Sequence, residues 1–165
     1  MNTPTRVAKI KDPRSRLVAA SELVDKAIAA RDEALAQRDM AMIVARLDHG
    51  MEPVTLWRDV LGVSRALFNR VLSRAPSDAE RKAMIEAYPE LFEDPVETMR
   101  KADREARRYE AIKSQARVIR DKTARQMMSG RDDDGNRVPA VTNAEVARLT
   151  GLTTARVSQL RKGTR

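Results

Sequence analysis

The sequence predicts an all-α protein, and three observations carry that expectation. Residues 15–48 contain neither Gly nor Pro and are rich in Ala, Leu, Arg and Glu, all good helix formers. A second run free of both breakers extends from Pro95 to Gly130, and no segment shows the apolar/polar alternation of a half-buried strand. Helix-start and helix-stop residues punctuate the rest: Gly50, Ser77 with Glu80, and Asp94-Pro95.

Residues 1–14, with Pro4, Pro13, Arg6, Lys9, Lys11 and Arg14, lack apolar periodicity and read as a flexible basic arm. One long helix follows, from Ser15 to Asp48. Ile28, Leu35 and Met42 recur every seven residues beside Ala20, Ala27, Ala34 and Ala41, a stripe narrow enough for close helix packing. His49-Gly50 ends it, Gly50 supplying a left-handed cap. Two short helices are expected at about 54–61 and 64–74, separated by Gly62 and closed by Pro76. Ser77 with Glu80 forms a capping box for a helix to about Tyr88, which Pro89 terminates. Asp94-Pro95 opens a second long helix to about Met128, since Asp caps and Pro suits the first helical position. Its apolar marks are sparse: Met99, Ala102, Ala106, Tyr109, Ile112, Ala116 and Ile119. Ten basic against five acidic residues between 95 and 128 make it read as a solvated, positive rod. Residues 129–139 are a loop, and two short helices, about 143–149 and 154–162, complete the chain.

The 165 residues fit one domain or two small ones. A net charge of +8, from 32 Lys+Arg and 24 Asp+Glu, draws a protein toward polyanions. The excess is local: residues 1–52 hold 9 basic and 8 acidic side chains, residues 53–94 hold 6 and 7, and residues 95–165 hold 17 and 9. There is no Cys, so neither a disulfide framework nor a thiolate metal site can form. His49 is the one imidazole, which removes most catalytic constellations, and it reads as a helix C-terminal cap. The acidic run Asp132-Asp133-Asp134-Gly135 fails as a calcium loop, because Gly130 stands where the first ligand belongs and Val141 where the bidentate Glu belongs. No phosphate loop or serine-nucleophile motif occurs, so an enzyme, a cofactor and a metal are not expected. No apolar run approaches the roughly 20 residues of a spanning helix, so a cytoplasmic, nucleoid-associated protein without membrane contact is expected.

The sharpest motif is Asn143 to Gly163, NAEVARLTGLTTARVSQLRKG. Two short helices crossing steeply need a small residue at the crossing, a Gly in the turn and apolar inner faces. Ala147, Gly151, and Val146, Leu152, Val157 and Leu160 meet those needs. Thr150 takes a place often held by a larger apolar residue. The segment resembles the helix-turn-helix of bacterial DNA-binding regulators. That resemblance implies a second helix entering the major groove by its N-terminal half, with Thr153, Thr154, Arg156, Ser158, Gln159 and Lys162 toward DNA. Gln159 suits a bidentate pair with adenine; the hydroxyls, Arg156 and Lys162 suit base edges or phosphates. The bland alternative is an ordinary helical hairpin with a solvated polar face.

A weaker copy lies at Pro53 to Leu72, PVTLWRDVLGVSRALFNRVL. Aligning Gly62 with Gly151 puts Trp57, Leu61, Val63, Phe68 and Val71 on inner positions. LGVSRALFNRVL again resembles a turn and recognition helix, and implies Ser64, Arg65, Asn69, Arg70 and Arg74 as DNA-facing. Arg58 replaces the small residue expected at the crossing. Because this block is electrically neutral, a plain packing unit competes with DNA contact here.

Each motif follows a long helix whose end can supply a third member: Met42, Ile43 and Leu47 for the first, Ile119, Met127 and Met128 for the second. The expected organisation is two trihelical modules, residues 15–93 and 129–165, joined by a basic connecting helix, residues 94–128. At 1.5 Å per residue that helix is of order 50 Å, more than the roughly 34–36 Å of one duplex turn. The paired long helix and LGVSRALFNRVL, with the Arg/Ala-rich usage, resemble transcriptional repressors of actinobacterial phages and plasmids. The functional expectation is therefore a sequence-specific double-stranded DNA-binding repressor, a monomer on an asymmetric site. A plasmid-maintenance or recombination accessory factor shares the same motifs. A coiled-coil scaffold binding DNA without sequence preference would instead use residues 17–47, or those residues would form a homodimer interface. The same stripe could also pack inside the chain against residues 77–92.

Overall fold

The computed structural model describes residues 3–132 and 134–162; Asp133 and Gly163, named above, lie outside them. The described residues form helices α1 (Pro4–Ala8), α2 (Pro13–Leu47), a π-helical segment (Thr55–Val60), α3 (Arg65–Leu72), α4 (Asp78–Ala87), α5 (Pro89–Phe92), α6 (Pro95–Ser129), α7 (Asn143–Thr150) and α8 (Thr154–Lys162). No strand occurs among them; the nearest approach is a single antiparallel bridge between Arg131 and Arg137. No helix among them is long and apolar enough to cross a membrane.

The helix boundaries follow local chemistry. Before α2, the Asp12 carboxylate accepts the Ser15 backbone N–H at 2.8 Å. Before α6, the Asp94 Oδ1 accepts the Glu97 N–H at 3.0 Å, and Pro95 occupies the first helical position. The capping box of α4 is complete, Ser77 and Glu80 satisfying each other's backbone N–H groups. Pro89 starts α5 rather than merely ending α4, because Tyr88 leaves helical dihedrals (φ −136°, ψ 58°) just before it. The arm expected at residues 1–14 holds a helix. Thr3 caps α1, and Val7 is buried against α2 and α6 with Ile10 packed on the same cluster, so these apolar side chains anchor the segment.

The chain folds as two compact units, residues 1–29 with 109–165 (the terminal unit) and residues 30–108 (the central unit). Each long helix gives one half to each. In the terminal unit, Ala20, Leu23 and Val24 of α2 pack with Val7 and with Ala116 of α6, joined by Ile112 and Ile119. In the central unit, Ala41, Met42, Ile43 and Ala45 of α2 pack with Leu56, Leu61, Phe68, Val71 and Met99 of α6. The alanine stripe is thus buried inside the chain: Ala20 packs with Ala116 of α6 in the terminal unit, and Ala41 with Met99 of α6 and with Leu56, Leu61, Phe68 and Val71 in the central unit. On α6 the marks Met99, Ala102, Ala106 and Ala116 are buried in return. Those sparse marks are a packing stripe, so α6 is not a solvated rod.

Buried cations lie along the same helices. Arg16 donates to Thr123 Oγ1 (3.2 Å), Gln126 Oε1 (3.0 Å) and the Ile10 carbonyl (3.2 Å), tying the start of α2 to the end of α6 within the terminal unit. In the central unit Arg38 pairs with Asp39 (2.6 Å) and reaches Asp103 of α6 (3.4 Å). Arg81 of α4 clamps Asp48, just past the end of α2, at 3.0 Å, and also binds Asp78 and the Pro76 carbonyl. Each guanidinium leaves water only where several acceptors converge on it, as burial of a charge requires.

Two third-helix residues differ from expectation. Leu47 is 46% exposed; the chain turns at Gly50 and returns Met51 to the core in its place, with Met51 N–H donating to the Ala45 carbonyl at 3.0 Å. Ile119 lies eight residues, about 12 Å along the helix, before Met127, and joins the Val7 cluster instead of the core beneath α7 and α8. That core gains Leu17 of α2, fully buried among Ala124, Met127, Met128, Val146, Val157 and Leu160.

Leu17→Ala should therefore cost about 2–5 kcal/mol in urea unfolding and raise amide exchange in α7 and α8. Glu80 and Asp12 are held below the ordinary carboxylate range, chiefly by the Ser77 and Ser15 hydroxyls. A lowered folded pKa gives stability that is present above the unfolded value and lost as pH falls through the folded one. Acid unfolding of the wild type should show this loss, and Ser77→Ala should reduce the Glu80 part of it.

Candidate nucleic-acid interface

The α7–α8 pair is built from its turns outward. Thr142 Oγ1 accepts the Glu145 N–H at 3.2 Å to start α7, and Thr153 Oγ1 accepts the Arg156 N–H at 3.2 Å to start α8. Between them Gly151 is left-handed (φ 68°, ψ 5°), a conformation that ends α7 and redirects the chain. Thr150, which stands where a larger apolar residue is common, is 8% exposed. Its hydroxyl donates to the Val146 carbonyl (2.8 Å) and accepts the Leu152 N–H (3.3 Å). A threonine is thus fully satisfied in that buried corner. Val146 and Val157 are completely buried on the inner faces, while Ala147, Leu149 and Leu152 close the edges. Arg14 of α2 binds Glu145 of α7 at 2.8 Å.

The segment entering α7 is equally determined. Val141 N–H donates to the Met127 carbonyl at 3.0 Å, and Val138 N–H to the Gly130 carbonyl at 2.9 Å. Asp132 Oδ1 gathers the N–H groups of Asp134 (3.0 Å) and Asn136 (2.7 Å), so its carboxylate organises the turn. Gly130 has φ +67°, and a Cβ there would sit 3.0 Å from the Val138 carbonyl oxygen.

On the outer face of α8, Thr153, Thr154, Arg156, Gln159 and Lys162 are exposed. Arg156 Nη1 donates to Gln159 Oε1 at 3.1 Å, which orients the amide. Ser158 is the exception: it is half-buried, and its Oγ accepts Asn143 Nδ2 at 3.4 Å, so it serves the α7–α8 contact rather than the outer face. Among the described residues, Asn143 Oδ1 is buried without a hydrogen-bond partner. The Asn143–Ser158 link, Leu17 and the Arg14–Glu145 pair went unread in the sequence. Each depends on a partner far along the chain or on the relative rotation of two helices.

The first motif lies in the central unit and is built differently. Ser64 Oγ caps α3 by accepting the Leu67 N–H at 3.2 Å; Ser64, Arg65, Asn69, Arg70 and Arg74 are all exposed. Phe68, Val71 and Leu61 are buried, with Trp57 and Val63 half-buried beside them. The preceding segment is not α-helical but π-helical, closed by Leu61 N–H to the Leu56 carbonyl (3.3 Å), and Val63 N–H reaches Trp57 (2.8 Å). The wider turn rotates the register so that Leu56 fills the core and Arg58 turns out, 63% exposed and paired with Asp59. Arg58 therefore does not obstruct the packing. Arg70 and Arg74 flank a groove of about 260 Å³ beside Asp39, Met40 and Ile43 of α2.

Charge separates the two surfaces further. The terminal unit carries 18 basic and 9 acidic residues, net +9, and the central unit 14 and 15, net −1. The basic excess thus includes the N-terminal residues as well as residues 109–165. No family model, curated protein or solved structure matches the chain.

Gly151→Ala meets no atom within 4 Å and should cost only the left-handed strain, about 1–2 kcal/mol. Gly130→Ala adds a backbone clash to the same strain and should be the more destabilising of the two when both are unfolded in urea.

Proposed function

We propose that the chain is a sequence-specific double-stranded DNA-binding protein acting as a transcriptional repressor. In this reading α7 and α8 form a helix-turn-helix, and α8 enters the major groove N-terminus first. The observation that carries the reading is the polar, cationic outer face of α8, with Thr154, Arg156, Gln159 and Lys162 exposed over an apolar core, in the unit that holds net +9. A reading helix must present donors and acceptors on a rigid support, and a phosphate track needs uncompensated cations. Arg156 orients Gln159, whose amide suits an adenine edge. Thr153 acts first as a cap, and Ser158 as a spacer between helices.

The exposed Ser64, Arg65, Asn69, Arg70 and Arg74 of α3 form the second proposed reader, on a unit with no basic excess. Their chemistry differs from that of α8, so the two helices would prefer unlike sequences and the site would be non-palindromic, occupied by one chain.

A footprint on DNA, with unrelated DNA as competitor at moderate salt, tests the reading. A protected site that survives competition is the expected result. Binding that shows no site preference and vanishes with salt would mean phosphate contact alone. Gln159→Ala should lose about 1–3 kcal/mol of discrimination at one base pair, whereas Lys162→Ala should weaken all sequences alike. Arg65→Ala with Arg70→Ala should shorten the protected region from one side only; an unchanged footprint would reduce α3 to a packing element.

A further inference from the structure

The two most exposed large apolar side chains among the described residues are Val118 of α6, 67% exposed, and Tyr88 between α4 and α5, 52% exposed. Neither is explained by the proposed DNA contacts. Val118 and Ile119, with Pro4 and Ala8 of α1, line an apolar groove of about 520 Å³. Its border is cationic: Lys9 lines it directly, and Lys122 lines the cavity that shares Ala8, Val118 and Ile119 with it. Neither lysine makes an ion pair among the described residues. Tyr88 has the opposite surroundings. Glu86, Glu90 and Glu93, within five residues of it in the chain, are exposed, and none of them is ion-paired among the described residues.

We propose that this α1–α6 groove is a self-association site that receives the Tyr88 knob of a second copy of the chain. Charge complementarity selects the occupant. An apolar groove bordered by the unpaired Lys9 and Lys122 fits an aromatic side chain flanked in the chain by unpaired glutamates, and this chain carries that feature itself. The apolar contact supplies the area removed from water, while the opposed charges fix the register and disfavour partners of the wrong sign. Because the two surfaces differ, the contact joins unlike faces of the copies rather than one face with itself. It is independent of the DNA-binding reading, since it requires no DNA.

Sedimentation velocity of the full chain without DNA, over a range of concentrations and salt, tests this. The wild type should associate with concentration, and 1 M salt, where the screening length falls to about 3 Å, should weaken that association. Lys9→Glu with Lys122→Glu should weaken self-association more than about tenfold, and Glu90→Lys with Glu93→Lys should do the same, because each leaves like charges facing. All four positions are exposed on the surface, so both variants should unfold in urea as the wild type does. Mixing the two variants restores opposite charges and should restore association. A wild type that stays monomeric, variants that associate as the wild type does, or a mixture that stays monomeric would each overturn the proposal. Association through the α2 stripe would show itself by the second of these outcomes.

Discussion

Two helices of eight and nine residues cannot bury their own inner faces, and the terminal unit is organised around that constraint. Val146, Val157 and Leu160 must find apolar cover elsewhere in the chain. They find it on α6, through Ala124, Met127 and Met128, and on α2, through Leu17. The dependence brings residues more than a hundred positions apart into one core, and it makes the start of α2 as necessary to the α7–α8 pair as the turn at Gly151. The flexible thioether of Met suits this junction, where two methionines fill the space between a long helix and two short ones.

The same long helices solve a second problem in each unit, that of burying a face that is both small and charged. Alanines remove little apolar surface per residue. Arg16 in the terminal unit and Arg38 in the central unit each add a specific cross-link from α2 to α6, and Arg81 secures α4 to the end of α2. Guanidinium suits these positions because its planar fork serves several acceptors at once while its stem packs on apolar neighbours. Such contacts add modest net stability, yet they discriminate strongly against a shifted register, since a shift would strand a buried charge.

Charge and local architecture distinguish the two candidate readers. The α8 face stands in a strongly basic unit over a regular α-helical hairpin. The α3 face stands in a unit near neutrality and follows a π-helical segment, a local widening that shifts which residues meet the core. Two motifs that align in the sequence therefore rest on different scaffolds. The unpaired lysines at the α1–α6 groove and the unpaired glutamates near Tyr88 in the chain have opposite sign and stand beside exposed apolar side chains, the combination associated with recognition rather than with solubility alone.

The two long helices, α3, α4, α7 and α8, and the turn between α7 and α8 were legible in the amino-acid order, whereas α1, α5 and the π-helical form of Thr55–Val60 were not. The legible features depend on near neighbours in the chain: Ser77 with Glu80, Asp94 before Pro95, and the backbone freedom of glycine. The exposed residues of α8 were legible for the same reason, apart from Ser158, whose burial depends on how α7 crosses it. Only the tertiary structure decided what the long helices are for. Sparse alanines and methionines on a charged helix read equally as a solvated rod, a dimer seam or an internal seam, because periodicity marks a face without naming its partner. The anchoring of α1 by Val7, the recruitment of Leu17, the return of Met51 in place of Leu47 and the outward turn of Arg58 share that cause. Each is decided by the competition of distant surfaces for burial, which no short stretch of the chain encodes.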